Sequence, residues 1–250
     1  YLLQNTGVND NEIIRARKII NLIIKLNISK YNLKLNKEID LPKNIDKKKI
    51  IGVLGQVETD NSIIYGVPEN TIQKTNFALV EQVRKDYPDA YIIYKPHPDT
   101  ESGLRAKGSK EESIIINADL IAADISLIEL FRKVGRIAVF TSLGGFEALI
   151  RGMPVTTYVL PFYAGWGLTE DKLYDNIWAK RRTKILTIEE LTFIALVKYP
   201  FYSSVKFNCL TELENIIDEI SSLNMKKNLE QMIFKNWGML KDRFLRNPRF

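Results

Sequence analysis

Between residues 49 and 160 short apolar, β-branched runs alternate with segments of helical periodicity, and few folds accept such a rhythm. Lys49-Ile50-Ile51-Gly52-Val53-Leu54-Gly55 is entered from lysines and left through glycine. Ala90-Tyr91-Ile92-Ile93-Tyr94 is stopped by Lys95-Pro96-His97-Pro98. Both runs are apolar on each successive residue, as strands covered on two faces must be. Ile137-Ala138-Val139-Phe140 and Pro154 to Leu160 read the same way, and Ser113 to Ile116 and Leu120 to Ala122 are shorter strand candidates. Between the strands, Asn70 to Asp86 carries Phe77, Val80 and Val83 on one helical face, with Asn70 or Thr71 as cap and Pro88 beyond its end. Ser126 to Lys133 and Phe146 to Arg151 are further helices. The alternation predicts a doubly wound, parallel-sheet α/β domain, Rossmann-like, over residues 49–200.

Flanking helices complete the chain. Residues 1–48 read as an amphipathic helix, Glu12 to Leu26, followed by an Asn- and Lys-rich connector that holds Pro42. Thr187 to Tyr199 is helical, and residues 201–250 hold two more helical segments, Thr211 to Leu223 and Lys227 to Phe244. The chain opens at Tyr1 rather than at methionine, as a module of a longer protein would. A charge-free stretch from Gly152 to Thr169 raises the question of a membrane span. Pro154, Pro161, Gly165 and Gly167 break it, so it reads as buried strand plus loop.

Composition narrows the chemistry. With one cysteine, Cys209, no internal disulfide and no cysteine-based zinc cluster can form, and with one histidine, His97, no multi-histidine metal site can form. Cysteine usage fits a reducing, cytoplasmic compartment. The formal charge of +6 suits a phosphate-bearing ligand or an anionic membrane surface. It is too small and too dispersed for nucleic acid, and no RNP or helix-turn-helix pattern accompanies it.

Ligands of open parallel sheets bind at the carboxyl ends of the strands, and polar clusters stand there. Gln56-Val57-Glu58-Thr59-Asp60 gathers two carboxylates and an amide on one turn. Asp60 can present a catalytic carboxylate or cap the next helix, and Glu58-x-Asp60 has the look of a metal-binding acidic pair. In Lys95-Pro96-His97-Pro98-Asp99, prolines on both sides hold an imidazole that can donate to phosphate, act as an acid, or serve packing alone. Thr141-Ser142-Leu143-Gly144-Gly145-Phe146-Glu147 places hydroxyls and glycines at a helix start, which suits an anion as well as simple capping. Glu147, one turn in, can accept from sugar hydroxyls or favour the helix dipole. Pro161 to Thr169 is an aromatic, glycine-rich loop with Tyr163, Gly165 and Trp166, suited to bases and sugar rings or to core packing. No Walker A loop, no GxGxxG and no nucleophile elbow is present.

In this order the four segments Gln56-Val57-Glu58-x-Asp60, Tyr94 to Asp99, Thr141 to Leu149 and Pro161 to Thr169 resemble the bacterial capsule-polysaccharide biosynthesis and export family. The similarity runs from about Tyr31, with Ser29-Lys30-Tyr31-Asn32 also in keeping, to about Cys209. It implies the donor-binding Rossmann-like lobe of a GT-B-like enzyme, a retaining β-Kdo glycosyltransferase that uses CMP-Kdo as donor substrate and needs no metal or other cofactor. The acceptor it implies is a phosphatidylglycerol-type glycolipid, with a cytoplasmic location, peripheral on the inner membrane, among capsule assembly proteins. On the same resemblance Asp60 is the nucleophile and His97 steadies the leaving phosphate. Gln56, Glu58, Lys95, Asp99, Thr141, Ser142, Leu143, Gly144 and Glu147 then bind substrate, and Tyr163, Gly165 and Trp166 close the cytidine pocket. Arg105 joins them, although Gly103 to Gly108 departs by one residue from the family's Gly-x-Arg-x-Gly spacing. Two alternatives are another nucleotide-sugar transferase or epimerase on this scaffold, and a non-catalytic binding or scaffold module of the capsule assembly and export machinery.

Overall fold

A computed structural model describes residues 1–30, 37–68, 72–173 and 179–224 of the 250-residue chain. The chain divides into two compact units, residues 1–198 and residues 199–250.

The first unit opens with the short helix α1 (Leu2–Asn5) and the long helix α2 (Asp10–Lys25). A capping box starts α2. The Asn9 side chain accepts from the Glu12 N–H, and the Glu12 carboxylate accepts from the Asn9 N–H. Its buried face is Ala16, Ile19, Ile20 and Ile23, while Arg17 and Lys18 stay in water.

The sheet that follows is six-stranded and wholly parallel. Its strands are β1 (Ile50–Leu54), β2 (Tyr91–Lys95), β3 (Leu120–Ile121), β4 (Arg136–Val139), β5 (Val155–Thr157) and β6 (Glu170–Asp171). They lie in the order β3-β2-β1-β4-β5-β6. Every residue of β1 is buried, which explains why its sequence is a continuous apolar run rather than an alternating one. β1 pairs Ile51 with Ile92 of β2 on one side and with Arg136 of β4 on the other. Successive connections run from β1 outward to β3, then return across the sheet to β4, so the order reverses between β1 and β4. That reversal opens a crevice at the carboxyl edge, the usual ligand site of doubly wound sheets.

Helices cover the sheet. They are α3 (Asn61–Ile64), α4 (Asn76–Asp86), α5 (Pro98–Glu101), α6 (Leu127–Lys133), α7 (Leu143–Ile150) and α8 (Ile188–Phe193). The core between α4 and the sheet is built from Leu79, Val80 and Val83 against Ile51, Val53, Ile92 and Tyr94. Each buried aliphatic side chain of this kind contributes about 1.5–3 kcal/mol. Helix α4 is capped by Thr75, whose side chain accepts from the Ala78 N–H. Asn70 and Thr71, expected as caps, lie outside the described residues, as does the helix expected over Lys227 to Phe244.

Two expectations need correction. Ser113 to Ile116 forms the end of a 3₁₀ turn, Glu111–Ile116, not a strand. Only Ile114 of its three isoleucines is buried, and a four-residue apolar run has no periodicity that separates strand from helical turn. Residues 170–171 add the edge strand β6, whose charged sequence hides it; Tyr87 and Arg136 hold Glu170, and Thr157 holds Asp171.

The second unit contains the antiparallel hairpin β7 (Tyr202–Ser204) and β8 (Cys209–Thr211), followed by α9 (Leu213–Asn224). The hairpin is absent from the sequence reading because its strands are three residues long and mostly exposed.

Candidate functional site

Three loops from the carboxyl edge of the sheet meet at the reversal. Leu54 and Gly55 come from β1, Lys95 to Pro98 from β2, and Ser142 to Gly144 from β4. Together with Glu147 and Lys30 they enclose a crevice of about 70 Å³. This is room for a small anion or a few waters, since a liquid water occupies about 30 Å³.

Lys95 ends β2 and points its side chain into protein rather than water; the side chain is 6% exposed. Its Nζ finds no hydrogen-bond partner among the described residues. The nearest carboxylate is Glu101 Oε2 at 3.7 Å, beyond hydrogen-bond reach. Burial lowers its pKa from the ordinary lysine value, and the Glu101 and Asp124 charges only partly oppose that. A buried ammonium that lacks a hydrogen bond, and whose ion pair is the 3.7 Å approach of Glu101, is costly, so this side chain is suited to an anion.

His97 sits two residues further on, fixed between Pro96 and Pro98. The imidazole caps α5 with Nδ1, which accepts from the Asp99 N–H at 3.2 Å. That assigns the neutral ring as the Nε2–H tautomer. Burial lowers the His97 pKa below the ordinary 6.5; the Lys30 and Lys95 charges act in the same direction, and the Asp99 and Asp60 carboxylates oppose it. The neutral imidazole is therefore a donor at physiological pH.

From the β4 side, Ser142 caps α7, its Oγ accepting from the Gly144 N–H at 3.2 Å. The start of an eight-residue helix, where the dipole favours negative charge, thus faces the same crevice, with the Gly144 and Gly145 N–H groups held by Ser142. Glycine at 144 is a matter of space, because a Cβ there would meet Leu54 Cδ1 at 2.5 Å. At Gly145 a Cβ would collide with the Tyr163 hydroxyl. Glu147, one turn in, is buried; Oε1 accepts from the Lys30 N–H at 2.9 Å, and Oε2 has no partner among the described residues. Burial raises its pKa, while the Lys30 hydrogen bond and the Arg151 charge oppose the rise.

The β1 loop carries both scaffold and acid. Gln56 is buried and ties three segments together. Its backbone exchanges hydrogen bonds with the Asn76 amide, and its own amide exchanges two with Thr141 at 2.8 and 2.9 Å. Both oxygens of Glu58 accept backbone N–H groups, from Asn76 and Ser109, each at 2.7 Å. Glu58 thereby pins the loop after α5 to the loop after β1. Asp60 stands at the cap position of α3 but makes no capping hydrogen bond there. It turns instead to Arg105, whose Nη2 donates to Oδ1 at 2.9 Å. Its side chain is 40% exposed, so solvent and ligands reach it, and its charge acts on His97.

Gln56 and Thr141 thus brace the crevice from beneath, while Lys95, His97, Ser142, Leu143, Gly144 and Glu147 line it. Asp60 and Arg105 do not line it but form a pair whose carboxylate charge acts on His97, and Asp99 orients the imidazole. The aromatic loop is elsewhere. Tyr163 is fully buried, stacked on Phe146 and edge-on to Phe162, and its hydroxyl donates to the Ser142 carbonyl at 2.5 Å. Trp166 is buried with Nε1 on the Phe162 carbonyl and Arg182 over its ring, and Gly165 holds a positive φ of 75°. None of the three lines the crevice, and Tyr163 alone touches it, through Ser142.

Sequence reading missed Lys30, Asn76 and Arg151. Ser29-Lys30-Tyr31-Asn32 is in keeping with the family, but nothing in it gives Lys30 a role. Asn76 stands at a helix start, but its partner is 20 residues away. Among the described residues no cluster of three or more His, Cys, Asp and Glu is arranged to hold a metal, and no helix is long and apolar enough to cross a membrane.

Comparison with known proteins places this geometry. Two proteins from Thermosulfurimonas dismutans have solved structures that superpose on it. The KpsC β-Kdo 2,7 transferase does so with a TM-score of 0.72 at 36% identity, over 90% of this chain and 66% of that one. The KpsC β-Kdo 2,4 transferase does so with a TM-score of 0.72 at 25% identity, over 88% and 66%. The capsule polysaccharide modification protein LipA of Neisseria meningitidis is 38% identical over 91% of this chain and 31% of its own length. The lipopolysaccharide-processing protein LpsZ of Rhizobium meliloti is 34% identical over 91% and 50%. The chain thus spans about a third to a half of these curated relatives. The model of the capsule polysaccharide biosynthesis protein family matches residues 8–202, and with it the sheet, the crevice and the Asp60–Arg105 pair, so the chain belongs to that family.

Proposed function

We propose that this chain is the donor-binding lobe of a GT-B-like β-Kdo glycosyltransferase of capsule biosynthesis. It holds CMP-Kdo at the crevice and transfers Kdo with retention to a lipid-linked Kdo acceptor. The observation that carries this reading is the Lys95 ammonium, buried and without a hydrogen-bond partner, in a crevice it shares with His97 and the start of α7. Such a site suits an anion, and the crevice has room for a phosphate group. Kinship with two solved β-Kdo transferases supplies the sugar.

The chemistry of a ketose donor assigns roles. Departure of CMP builds positive charge on the sugar ring and negative charge on the phosphate. Lys95 and the His97 Nε2–H meet the latter as it develops, with the dipole of α7 acting in the same sense. Retention by double displacement needs a nucleophile. An Asp60 carboxylate oxygen bonds to the anomeric carbon while the carbon–phosphate-oxygen bond breaks and CMP leaves with the electron pair. The acceptor hydroxyl then displaces the ester, gives up its proton to a base, and regenerates the Asp60 carboxylate. Glu147 Oε2, the open acceptor in the crevice, takes a hydroxyl of the ribose or of the Kdo polyol.

Calorimetric titration with CMP, with UDP as competitor, tests the donor reading. CMP should bind and UDP should compete poorly; tighter UDP binding would point to another nucleotide-sugar transferase, and no binding of either would favour a scaffold role. For the nucleophile, intact mass after incubation with CMP-Kdo should show a Kdo adduct that Asp60→Ala lacks. An adduct that maps elsewhere removes the assignment.

A further inference from the structure

A second cavity opens at the same edge of the sheet, beyond Pro96. It holds about 400 Å³, and Tyr94 and Pro96 from the end of β2 and Ile121 from β3 are among its walls, with Ile115. Pockets for small organic ligands run to about 300–1,000 Å³ and combine apolar walls with a few polar groups. Pro96 lines both this cavity and the crevice. An ion pair also joins the two, because Lys95 lines the crevice, Glu101 lines the cavity, and Lys95 Nζ stands 3.7 Å from Glu101 Oε2. The two spaces differ in charge. The crevice sets Lys95 and the dipole of α7 against one carboxylate, Glu147. The cavity sets the carboxylates of Glu101, Glu111, Glu112 and Asp124 against one ammonium, Lys107. Two of these acids are committed to the fold. Glu111 accepts from the Tyr94 hydroxyl and the Gly108 N–H, and Glu101 accepts from the Asp124 N–H. Glu112 and Asp124 are exposed, so their carboxylates are open to a ligand.

We propose that this cavity takes the nucleoside of the donor, which lies across Pro96 with its phosphate on Lys95 and His97. This rests on the donor reading above and deepens it. A nucleotide has the polarity of the paired spaces. One end is an anionic phosphate, and the other carries ribose hydroxyls and, in cytosine, an amine that donates. Carboxylates accept strongly from such donors. They repel a phosphate, so the two spaces together fix the direction in which the nucleotide binds. They also select the base, because cytosine presents a 4-amino donor where uracil presents a carbonyl acceptor. The cavity provides the nucleoside site that the aromatic loop does not, since Tyr163 and Trp166 are buried.

NMR of the isoleucine methyls and of the imidazole of His97, the one histidine of the chain, locates the two ends of the ligand. CMP should shift His97 together with the Ile115 and Ile121 methyls, whereas inorganic phosphate should shift His97 alone. The methyl of Ile185, exposed beside Gly167, should stay put with both. Two variants read affinity by calorimetry. Ala123→Phe puts a ring into the cavity from its own lining, and should weaken CMP about tenfold or more while leaving inorganic phosphate unaffected. Glu112→Gln combined with Asp124→Asn keeps size and removes both open carboxylates. Asn suits the positive φ of 56° at position 124, so the turn survives. The preference for CMP over UMP should fall about tenfold in this protein. CMP that shifts His97 but neither Ile115 nor Ile121 overturns the proposal and leaves the donor reading standing. So does full CMP affinity in Ala123→Phe with a normal melting transition. An unchanged preference in the double variant overturns the base selection. Wild-type protein in which CMP shifts none of these resonances overturns the donor reading itself, and this site with it.

Discussion

The backbone N–H of Asp99 donates to Nδ1 of His97 at 3.2 Å. Two prolines and this hydrogen bond turn a lone histidine into an oriented donor, because an Nδ1 that accepts leaves the proton on Nε2. The Asp99 carboxylate lies 3.9 Å from the same nitrogen and would favour protonation, but burial outweighs it and the pKa falls below 6.5. The unfolded chain therefore takes up the proton more readily than the folded one just below pH 6.5. His97 contributes stability that is fully present above pH 6.5 and lost as pH falls through the depressed value. An NMR titration should find a midpoint under 6.5, and His97→Gln should flatten the acid side of the stability profile. A midpoint above 6.5 would show an ion pair with Asp99 instead.

Lys95→Met is expected to separate stability from binding. The substitution removes a buried ammonium that has no hydrogen bond, so thermal stability should stay level or rise by up to ~2 kcal/mol. CMP affinity should fall at least ~30-fold, the equivalent of the roughly 2 kcal/mol lost when one partner of a buried charge pair is removed. The pH dependence carries a second sign. With a folded pKa below 10.5, wild type gains stability as pH rises from that lowered value toward 10.5, and Lys95→Met lacks this gain. Chemical denaturation at pH 7 and pH 10 measures both. A large loss of stability in Lys95→Met would mean that the 3.7 Å ion pair with Glu101 outweighs the cost of burial.

Replacing Tyr163 by Phe should act on the crevice from behind. The hydroxyl donates to the Ser142 carbonyl at the residue that starts α7. Its loss should cost about 1 kcal/mol of stability and lower CMP affinity a few-fold, although no atom of Tyr163 lines the crevice. Equal affinity in the two proteins would show that the α7 start is held by Gln56 and Thr141 without help.

How far the sequence foretold all this depends on the range of the forces involved. The continuous apolar runs at Ile50–Leu54 and Tyr91–Lys95 announced buried parallel strands, because burial on both faces leaves no alternation to read. Ser126 and Thr187 announced their helices through short-range capping. The triad of clusters at the carboxyl edge was legible for the same reason, each lying directly after a strand. Long-range partnership was not. Glu58 and Asp60 look alike in sequence, yet one has both oxygens taken by backbone N–H groups and the other faces Arg105 from 45 residues away. Tyr163 and Trp166 suggested a lid by residue type, and their burial against Phe146 and Arg182 is a tertiary fact. The two-residue strand β6 owes its place to neighbours, not to its own Glu170 and Asp171.

Arg105 provides the sharpest test of the geometry around Asp60. Its backbone N–H is anchored on the Asp99 carbonyl at 2.9 Å, so the segment that orients His97 also delivers the guanidinium to Asp60. Both side chains of the pair are about half exposed, which keeps the contribution to stability below ~1 kcal/mol. Positioning is another matter, because a carboxylate that must meet an anomeric carbon loses rate steeply when misplaced. Arg105→Met should therefore leave the melting temperature and CMP affinity nearly unchanged and slow Kdo transfer by roughly 10–10²-fold, as a fall in kcat at constant KM. Arg105→Lys, which keeps the charge without the planar fork, should recover part of the rate. The decisive comparison is the covalent adduct. With the guanidinium gone, the Kdo adduct on Asp60 should form more slowly while CMP still binds as in wild type. An adduct that forms at the wild-type rate while turnover falls would assign Arg105 to the substrate rather than to Asp60.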